Sequence, residues 1–488
     1  MPTQLDTHNQ LPRINRNDKA IMRFGTEVLA SLPYDPNNGQ MLLIAAFAHF
    51  LLYSPQQTVF LLKGYAGTGK TSMTGALVKT MSQNGMKAVL MAPTGRAAKV
   101  FTEYSGHTAY TIHRKIYRQQ SYGQNNFLLA ENKHTNTVFI VDEASMISNS
   151  SGDYSVFGTG RLLDDLISYV YSGQGCRLML IGDTAQLPPV GQSESPALSD
   201  TVLEGYHLAV YEVFLHEIAR QVQTSGIIHN ATMLRNIMAS GLLAAPTLQL
   251  KAFNDITNVT GEFLMEQLSD CYDCDGQNET IIITRSNKRA VLFNSGVRNS
   301  ILYREDQLVC GDMLLVAKNN YFWSQDYDNI DFIANGDIIE VKRVWGEIED
   351  RYGLHFANVT VEFPDHNHLE MDTKIILDCL FSDTPALTAA QSELLFNGVM
   401  EELAGDKRTR FKALKKHPYF NALQVKYAYA VTCHKAQGGQ WQNVFVDMGG
   451  IMPDALSSLD FLRWLYTAIT RARRQVYLIN CPLETDFR

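Results

Sequence analysis

Gly64-Tyr65-Ala66-Gly67-Thr68-Gly69-Lys70-Thr71 follows an apolar run at residues 58–62 and precedes the helix-like segment Met73-Thr74-Gly75-Ala76-Leu77-Val78. Glycines in that setting let backbone N–H groups curl around phosphate oxygens at a helix N-terminus, where the helix dipole favours negative charge. The pattern predicts that Lys70 reaches the β- and γ-phosphates of a nucleoside triphosphate and that the Thr71 hydroxyl holds Mg²⁺. A bare Gly-rich turn would share the composition but not the flanking strand and helix.

Such a loop needs a metal carboxylate and a group that activates water. Val138-Phe139-Ile140-Val141-Asp142-Glu143-Ala144-Ser145 offers both at the end of a second apolar run, with Asp142 suited to the metal and Glu143 to the water. Buried parallel strands deliver their C-terminal residues to the ligand crevice, which explains why the acidic pair follows the run directly. A third run, residues 178–181, ends in Gly182-Asp183-Thr184-Ala185-Gln186-Leu187-Pro188-Pro189-Val190-Gly191. Gln186 can bond a γ-phosphate or the attacking water from there.

Composition narrows the class. The 488 residues, 45% apolar and 19% charged, describe a globular protein long enough for several domains. A net charge of -8 argues against a generally basic coat, so any nucleic-acid site must be a local channel. Cys271 and Cys274 stand close together without the second pair that a structural zinc site needs, and read as free thiols. The first residues carry no basic and apolar leader, and no apolar run reaches the roughly 18 residues of a membrane span. The expectation is a soluble, intracellular, cytoplasmic protein with no membrane partner.

Apolar runs alternate with helix-like stretches over residues 40–236, the signature of a parallel sheet wrapped by helices. Residues 110–137 interrupt it with a polar, turn-rich segment that reads as a small inserted hairpin. A second α/β pattern starts at Ile281-Ile282-Ile283-Thr284-Arg285 and resumes at Val425-Lys426-Tyr427-Ala428-Tyr429. Between them, Asp337-Ile338-Ile339-Glu340-Val341 and Ala357-Asn358-Val359-Thr360-Val361-Glu362-Phe363 alternate as strands of a small antiparallel barrel would.

Two late blocks decide the class. Thr432-Cys433-His434-Lys435-Ala436-Gln437-Gly438 groups a hydroxyl, an imidazole, a lysine and an amide able to grip a sugar-phosphate backbone. Tyr466-Thr467-Ala468-Ile469-Thr470-Arg471-Ala472-Arg473 places Arg471 at helical spacing from Thr467. An arginine brought to a γ-phosphate from a second core accelerates phosphoryl transfer by about 10³ to 10⁵. Arg473 and Arg474 read as a solvated basic helix face.

With the phosphate loop and the acidic loops, these blocks join Ala92-Pro93-Thr94-Gly95-Arg96-Ala97-Ala98, Thr111-Ile112-His113-Arg114 and Thr284-Arg285-Ser286-Asn287 in an ordered set. The set resembles the superfamily 1 helicases, and within them the RecD-like and Dda-like superfamily 1B branch, with a UvrD-like C-terminal core. The resemblance extends over residues 40–478.

It implies an α/β fold of two RecA-like P-loop NTPase cores, parallel sheets with flanking helices. The first core would take residues 1–106 and 138–250, with 107–137 as a pin hairpin that splits the duplex, Phe127 and Leu128 being its apolar residues. The second would take 251–311 and 424–488, with 312–423 as an SH3-like β-barrel insertion. The implied function is an ATP-dependent DNA helicase moving 5′ to 3′ on single-stranded DNA and opening duplex at single-strand junctions, in repair, recombination or replication. The protein partners in those processes stay open. A 3′-to-5′ superfamily 1A helicase, an RNA helicase and a non-hydrolysing DNA-binding subunit are the alternatives.

The resemblance also assigns residues. ATP with Mg²⁺ would be held by Gly64, Gly67, Thr68, Gly69, Lys70, Thr71 and Ser72, with Gln40 reading adenine and Thr71 and Asp142 on the metal. Glu143 and Gln186 would act on water and γ-phosphate, and Arg220 and Arg471 would clamp the nucleotide between the cores. Pro93, Thr94, His113, Thr432 and His434 match positions that contact single-stranded DNA, on loops lining one channel. Phe101, Tyr104 and Tyr110 are placed either to stack on bases or to fill core, and Trp441 reads as packing.

Overall fold

The computed structural model describes residues 11–15, 17–119, 127–150, 157–218, 224–327, 330 and 332–486. They fall into two compact units, the first closed by residues 457–470 and the second running mainly over 254–456 and 471–488.

In the first unit, apolar runs form β1 (Thr58–Gly64), β2 (Lys87–Ala92), β3 (Ala109–Thr111), β4 (Tyr117–Gln119), β5 (Phe127–Leu129), β6 (Thr137–Val141), β7 (Arg177–Gly182) and β8 (Ala209–Leu215). Six of these make one sheet in the order β3-β2-β6-β7-β1-β8, every neighbouring pair parallel. Strands buried on both faces read as continuous apolar runs rather than alternating ones. Thus β6, β7 and β1 lie side by side, and the loops leaving their C-terminal ends are those that carry the acidic pair, Gln186 and Lys70.

The helix Asn38–Tyr53 packs on this sheet through Phe47 and Phe50, whose rings lie 5.4 Å from that of Phe60 on β1. Its C-terminal carbonyls lack intrahelical N–H partners, and the Ser54 hydroxyl donates to that of Phe50 at 2.6 Å. Arg177, at the start of β7, donates to the carbonyls of Phe50, Leu51 and Ser54 and satisfies them. The strands β4 and β5 pair antiparallel as the expected small hairpin. Residues 120–126, between them in the chain, lie outside the described residues.

One segment moves relative to the sequence reading. Residues 457–470, placed there in the second core, belong to the first unit. The helix Leu459–Ile469 is buried along most of its length, at Phe461, Leu462 and from Trp464 to Ile469, and a helix with so wide an apolar face must bury it against a core. It ends before Arg471, and Arg473 and Arg474 lie on a strand rather than a helix face.

In the second unit, β9 (Ile256–Val259), β10 (Thr280–Thr284), β16 (Ala430–Thr432), β17 (Trp441–Asp447) and β18 (Ala472–Ile479) form a sheet in the order β16-β10-β17-β18-β9, again parallel throughout. The strands β11 (Met313–Val316), β12 (Ile338–Arg351), β13 (Leu354–Phe363), β14 (Leu369–Ile376) and β15 (Leu423–Tyr427) close a barrel. It is antiparallel except where β14 meets β15. Between those two the chain builds the helices Ala389–Glu402 and Lys407–Leu414, which the sequence reading did not foresee. They supply Leu395, Val399 and Leu414 to a core with Leu354, Phe356 and Ile376.

The apolar stretch at 423–432 is shared between two sheets. Residues 423–427 complete the barrel and 430–432 join the parallel sheet, the switch falling at Ala428-Tyr429. Asp312 pins that switch. Fully buried, it accepts from Arg298 Nε at 3.0 Å, Arg304 Nη1 at 2.8 Å, the Val309 N–H at 2.9 Å and the Tyr429 hydroxyl at 3.1 Å. Removing one partner of a buried ion pair strands the other, a cost of about 3–5 kcal/mol. Asp312→Ala is therefore expected to lower stability by about that amount, read as a shift in denaturant-induced tryptophan fluorescence, with Asp312→Asn losing less.

Candidate functional site

The loop at 64–70 has few regular partners for its backbone, and side chains hold it. Lys70 Nζ donates to the carbonyls of Gly64 at 2.6 Å and Tyr65 at 2.9 Å. Thr68 Oγ1 donates to the Tyr65 carbonyl at 2.8 Å. Gly67 and Gly69 adopt φ of 76° and 84°, the left-handed region that glycine reaches without a steric cost. A Cβ on Gly69 would sit 2.6 Å from Gln40 Nε2, and one on Gly64 would sit 2.9 Å from Thr68 Oγ1. Thr71 and Ser72 follow at the helix start, exposed to solvent.

Gln40 is buried and committed at both ends. Its Nε2 donates to the Thr68 carbonyl at 3.0 Å, and its Oε1 accepts from the Asn37 N–H at 3.1 Å in a capping box. In this geometry Gln40 braces the phosphate loop.

Asp142 leaves the end of β6 next to this loop. Its Oδ2 accepts from the Tyr104 hydroxyl and its Oδ1 from the Glu143 N–H at 2.8 Å. Burial, and then the charge of Glu143, push its carboxyl above the ordinary range, while the Tyr104 hydroxyl pulls the other way. Glu143 sits at φ 52°, a left-handed backbone rare for a non-glycine residue. Tyr104 also stacks on Phe101 at 5.1 Å. Its ring is core and its hydroxyl supports a carboxylate, a role that no sequence motif announces.

On the neighbouring loop, Asp183 is buried and pushed up by that burial. It accepts from the Ala185 N–H at 2.9 Å and from the Tyr466 hydroxyl at 2.6 Å. Gln186 is 7% exposed, and its Oε1 is a buried acceptor without a hydrogen-bond partner among the described residues. Buried polar atoms are normally paired, so this carbonyl is an acceptor available to a group outside the described residues.

The structure brings Gln40, the phosphate loop, Asp142, Glu143 and Gln186 together in the first unit. Arg471 belongs to the second, 3% exposed, with its carbonyl accepting from the Trp441 N–H at 3.0 Å and its guanidinium near Gly439. Arg220 lies outside the described residues. Arg474 bonds Asp275 and Asn443 instead of solvent alone.

The positions assigned to DNA are less loop-like than expected. Pro93 and Thr94 do follow β2, but Thr94 caps the helix Gly95–Ser105 by accepting from the Ala97 N–H at 3.2 Å. His113 is within the helix Ile112–Ile116, its ring 4.7 Å from that of Phe157 and 5.7 Å from that of Tyr117. Thr432 ends β16, and His434 is exposed in the helix Cys433–Ala436, its pKa lowered by partial desolvation. Tyr110 carries the cations of Arg114 and Lys115 near its face, and Trp441 is buried as packing. Cys271 and Cys274 are free thiols, and no group of metal-ligating residues occurs among the described residues.

Residues 37–245 match the AAA domain family, and residues 427–479 match the UvrD-like helicase C-terminal domain. The chain is similar to the ATP-dependent RecD2 DNA helicase of Deinococcus radiodurans, 26% identical over 96% of this chain and 54% of that protein. It is also similar to the ATP-dependent DNA helicase dda of Enterobacteria phage T4, 25% identical over 86% of this chain and 93% of the relative. It therefore spans about half the length of the first protein and nearly all of the second. Among solved structures, a Pif1 helicase from Bacteroides in complex with ADP-AlF3 and ssDNA is similar over 92% of this chain and 93% of that chain, at 16% identity and TM-score 0.46.

His113 has a pH signature. Burial among aromatic rings lowers its pKa to about 4, partly opposed by Asp165. In the unfolded chain the imidazole takes a proton near its ordinary value of about 6.5, so the unfolded state binds more protons between those values. Stability from this residue is complete above the ordinary value and is lost as pH falls towards 4. The thermal midpoint should fall less between pH 7 and pH 5 in His113→Phe than in the parent chain; equal slopes would remove His113 from the account.

Proposed function

We propose that this chain, which belongs to the superfamily 1B helicases of the RecD and Dda type, couples ATP hydrolysis to 5′-to-3′ movement on single-stranded DNA and so opens duplex at a junction. The observation that carries this reading is the convergence of Lys70, Asp142 and the unpartnered Gln186 carbonyl on the C-terminal ends of three adjacent parallel strands.

The residues fit a nucleoside triphosphate with Mg²⁺. Gly67 and Gly69 take the left-handed backbone that lets a loop curl around phosphate, and a Cβ on Gly69 would strike Gln40. Thr71 and Asp142 would hold the metal, which when bound neutralises phosphate charge. Lys70 must give up its loop carbonyls to reach the phosphates, Glu143 orients and deprotonates water, and Gln186 accepts from that water. Arg220 and Arg471 act as the paired cations on the γ-phosphate, closing two RecA-like cores that open again once it leaves.

In this reading residues 107–137 are the pin hairpin and 312–423 the SH3-like accessory insertion. Pro93, Thr94 and His113 on one core, with Thr432 and His434 on the other, alternate their grip on the strand. Contacts to backbone and bases worth about 1–3 kcal/mol per base suffice without a basic surface. That accords with the net charge of -8.

The deciding experiment uses duplexes with a 5′ or a 3′ single-stranded tail, ATP and Mg²⁺. The expected result is unwinding of the 5′-tailed substrate alone, abolished with DNA-stimulated hydrolysis in Lys70→Ala. Unwinding from the 3′ tail would indicate a superfamily 1A polarity, and full turnover by Lys70→Ala would refute the assignment. Equal competition by an RNA strand would point to an RNA substrate.

For the strand contacts, Thr432→Ala with His434→Ala should weaken single-stranded DNA binding severalfold at neutral pH. Because the His434 pKa is lowered, its imidazole is neutral there and releases no counterion on binding. The slope of log affinity against log salt should stay unchanged while the affinity drops. Fluorescence anisotropy over a salt series measures both.

A further inference from the structure

The Tyr466 hydroxyl joins two loops of the first unit. The residue is 1% exposed, accepts from the Ala66 N–H at 2.8 Å and donates to Asp183 Oδ2 at 2.6 Å. Ala66 belongs to the phosphate loop, and Asp183 opens the loop that carries Gln186. The next residue on the same helix, Thr467, accepts from the Leu187 N–H at 2.9 Å and donates to the Arg463 carbonyl at 2.7 Å. Consecutive helical positions thus hold the phosphate loop and both flanks of Gln186.

A phenol suits this task because one hydroxyl can donate and accept at once while its ring is fixed by packing. The neighbouring helix Gly226–Ser240 covers the same spot, with the Arg235 guanidinium 4.5 Å above the ring of Tyr65. Asp183, buried as it is, requires hydrogen-bond donors to carry its charge, and the Tyr466 hydroxyl is one of them.

We infer that Tyr466 is a positioning residue that ties the phosphate loop to the loop of Gln186, so that occupancy of the γ-phosphate position is passed into the helix Leu459–Ile469 and along the chain towards Arg471. The inference deepens the proposed helicase reading and rests on it. Without the hydroxyl, Lys70 and the remaining loop amides keep their contacts to the bound nucleotide, but Gln186 loses its fixed distance from the reacting phosphorus. Displacements of about 1 Å from a reacting centre can cost about 10²-fold in rate. The loss therefore falls on turnover more than on binding.

Tyr466→Phe removes the hydroxyl and keeps the ring. In the full chain, kcat for ATP with saturating single-stranded DNA should fall tenfold or more while the Kd for a fluorescent ATP analogue moves less than threefold. A kcat within twofold of the parent overturns the inference, as does a loss of nucleotide affinity equal to the loss of turnover. Should Tyr466→Phe fail to fold, judged by its thermal midpoint, Thr467→Val decides in its place. The same selective loss of kcat supports the inference, and an unchanged kcat overturns it. If the parent chain hydrolyses ATP without any response to DNA, the helicase reading fails on its own, and the split between kcat and Kd in basal hydrolysis still judges Tyr466.

Discussion

A glycine loop can wrap phosphates only if its backbone is held open, and this one is held by side chains of its own and by two from distant parts of the chain. Lys70 donates to the carbonyls of Gly64 and Tyr65, Gln40 to that of Thr68, and Tyr466 accepts from the N–H of Ala66. Left-handed glycines make the path sterically available, and these bonds select it from the alternatives. The parallel sheet, the helix Asn38–Tyr53 and the helix Leu459–Ile469 serve to bring those groups to one place.

The second constraint is the burial of charge. Asp142, Asp183 and Asp312 each lose most of their hydration, and each is compensated by donors fixed in the core. The compensation differs in kind. Asp312 receives two guanidinium groups, which more than offset its charge, as suits a joint between barrel and sheet. Asp142 and Asp183 receive hydroxyls and backbone N–H groups, which support a carboxylate without cancelling its charge. Carboxylates so treated retain a field that a cation can use.

Much of the candidate site was legible because its local geometry depends on short-range order. The phosphate loop, the acidic pair after β6 and the Gln186 loop are contiguous segments whose spacing is set by a strand end and a helix start. Roles set by long-range contacts were hidden. Tyr104 and Tyr466 are aromatic residues among many, and nothing near them in the chain marks one as the support of Asp142 or the other as the link between two loops. His113 carries a residue type of a strand-binding channel, and tertiary packing sets its ring in an aromatic cluster that its local sequence does not announce.

The sequence by itself determined two parallel-sheet patterns, the phosphate cradle, and an inserted barrel, because hydrophobic period and glycine placement act within one or two turns of chain. Tertiary structure alone decided that residues 457–470 complete the first unit, that the apolar stretch at 423–432 divides between barrel and sheet, and that Gln40 braces the loop. Those outcomes depend on which buried groups meet across stretches from 28 residues, for Gln40 and Thr68, to 283, for Tyr466 and Asp183, and no single local pattern encodes such meetings.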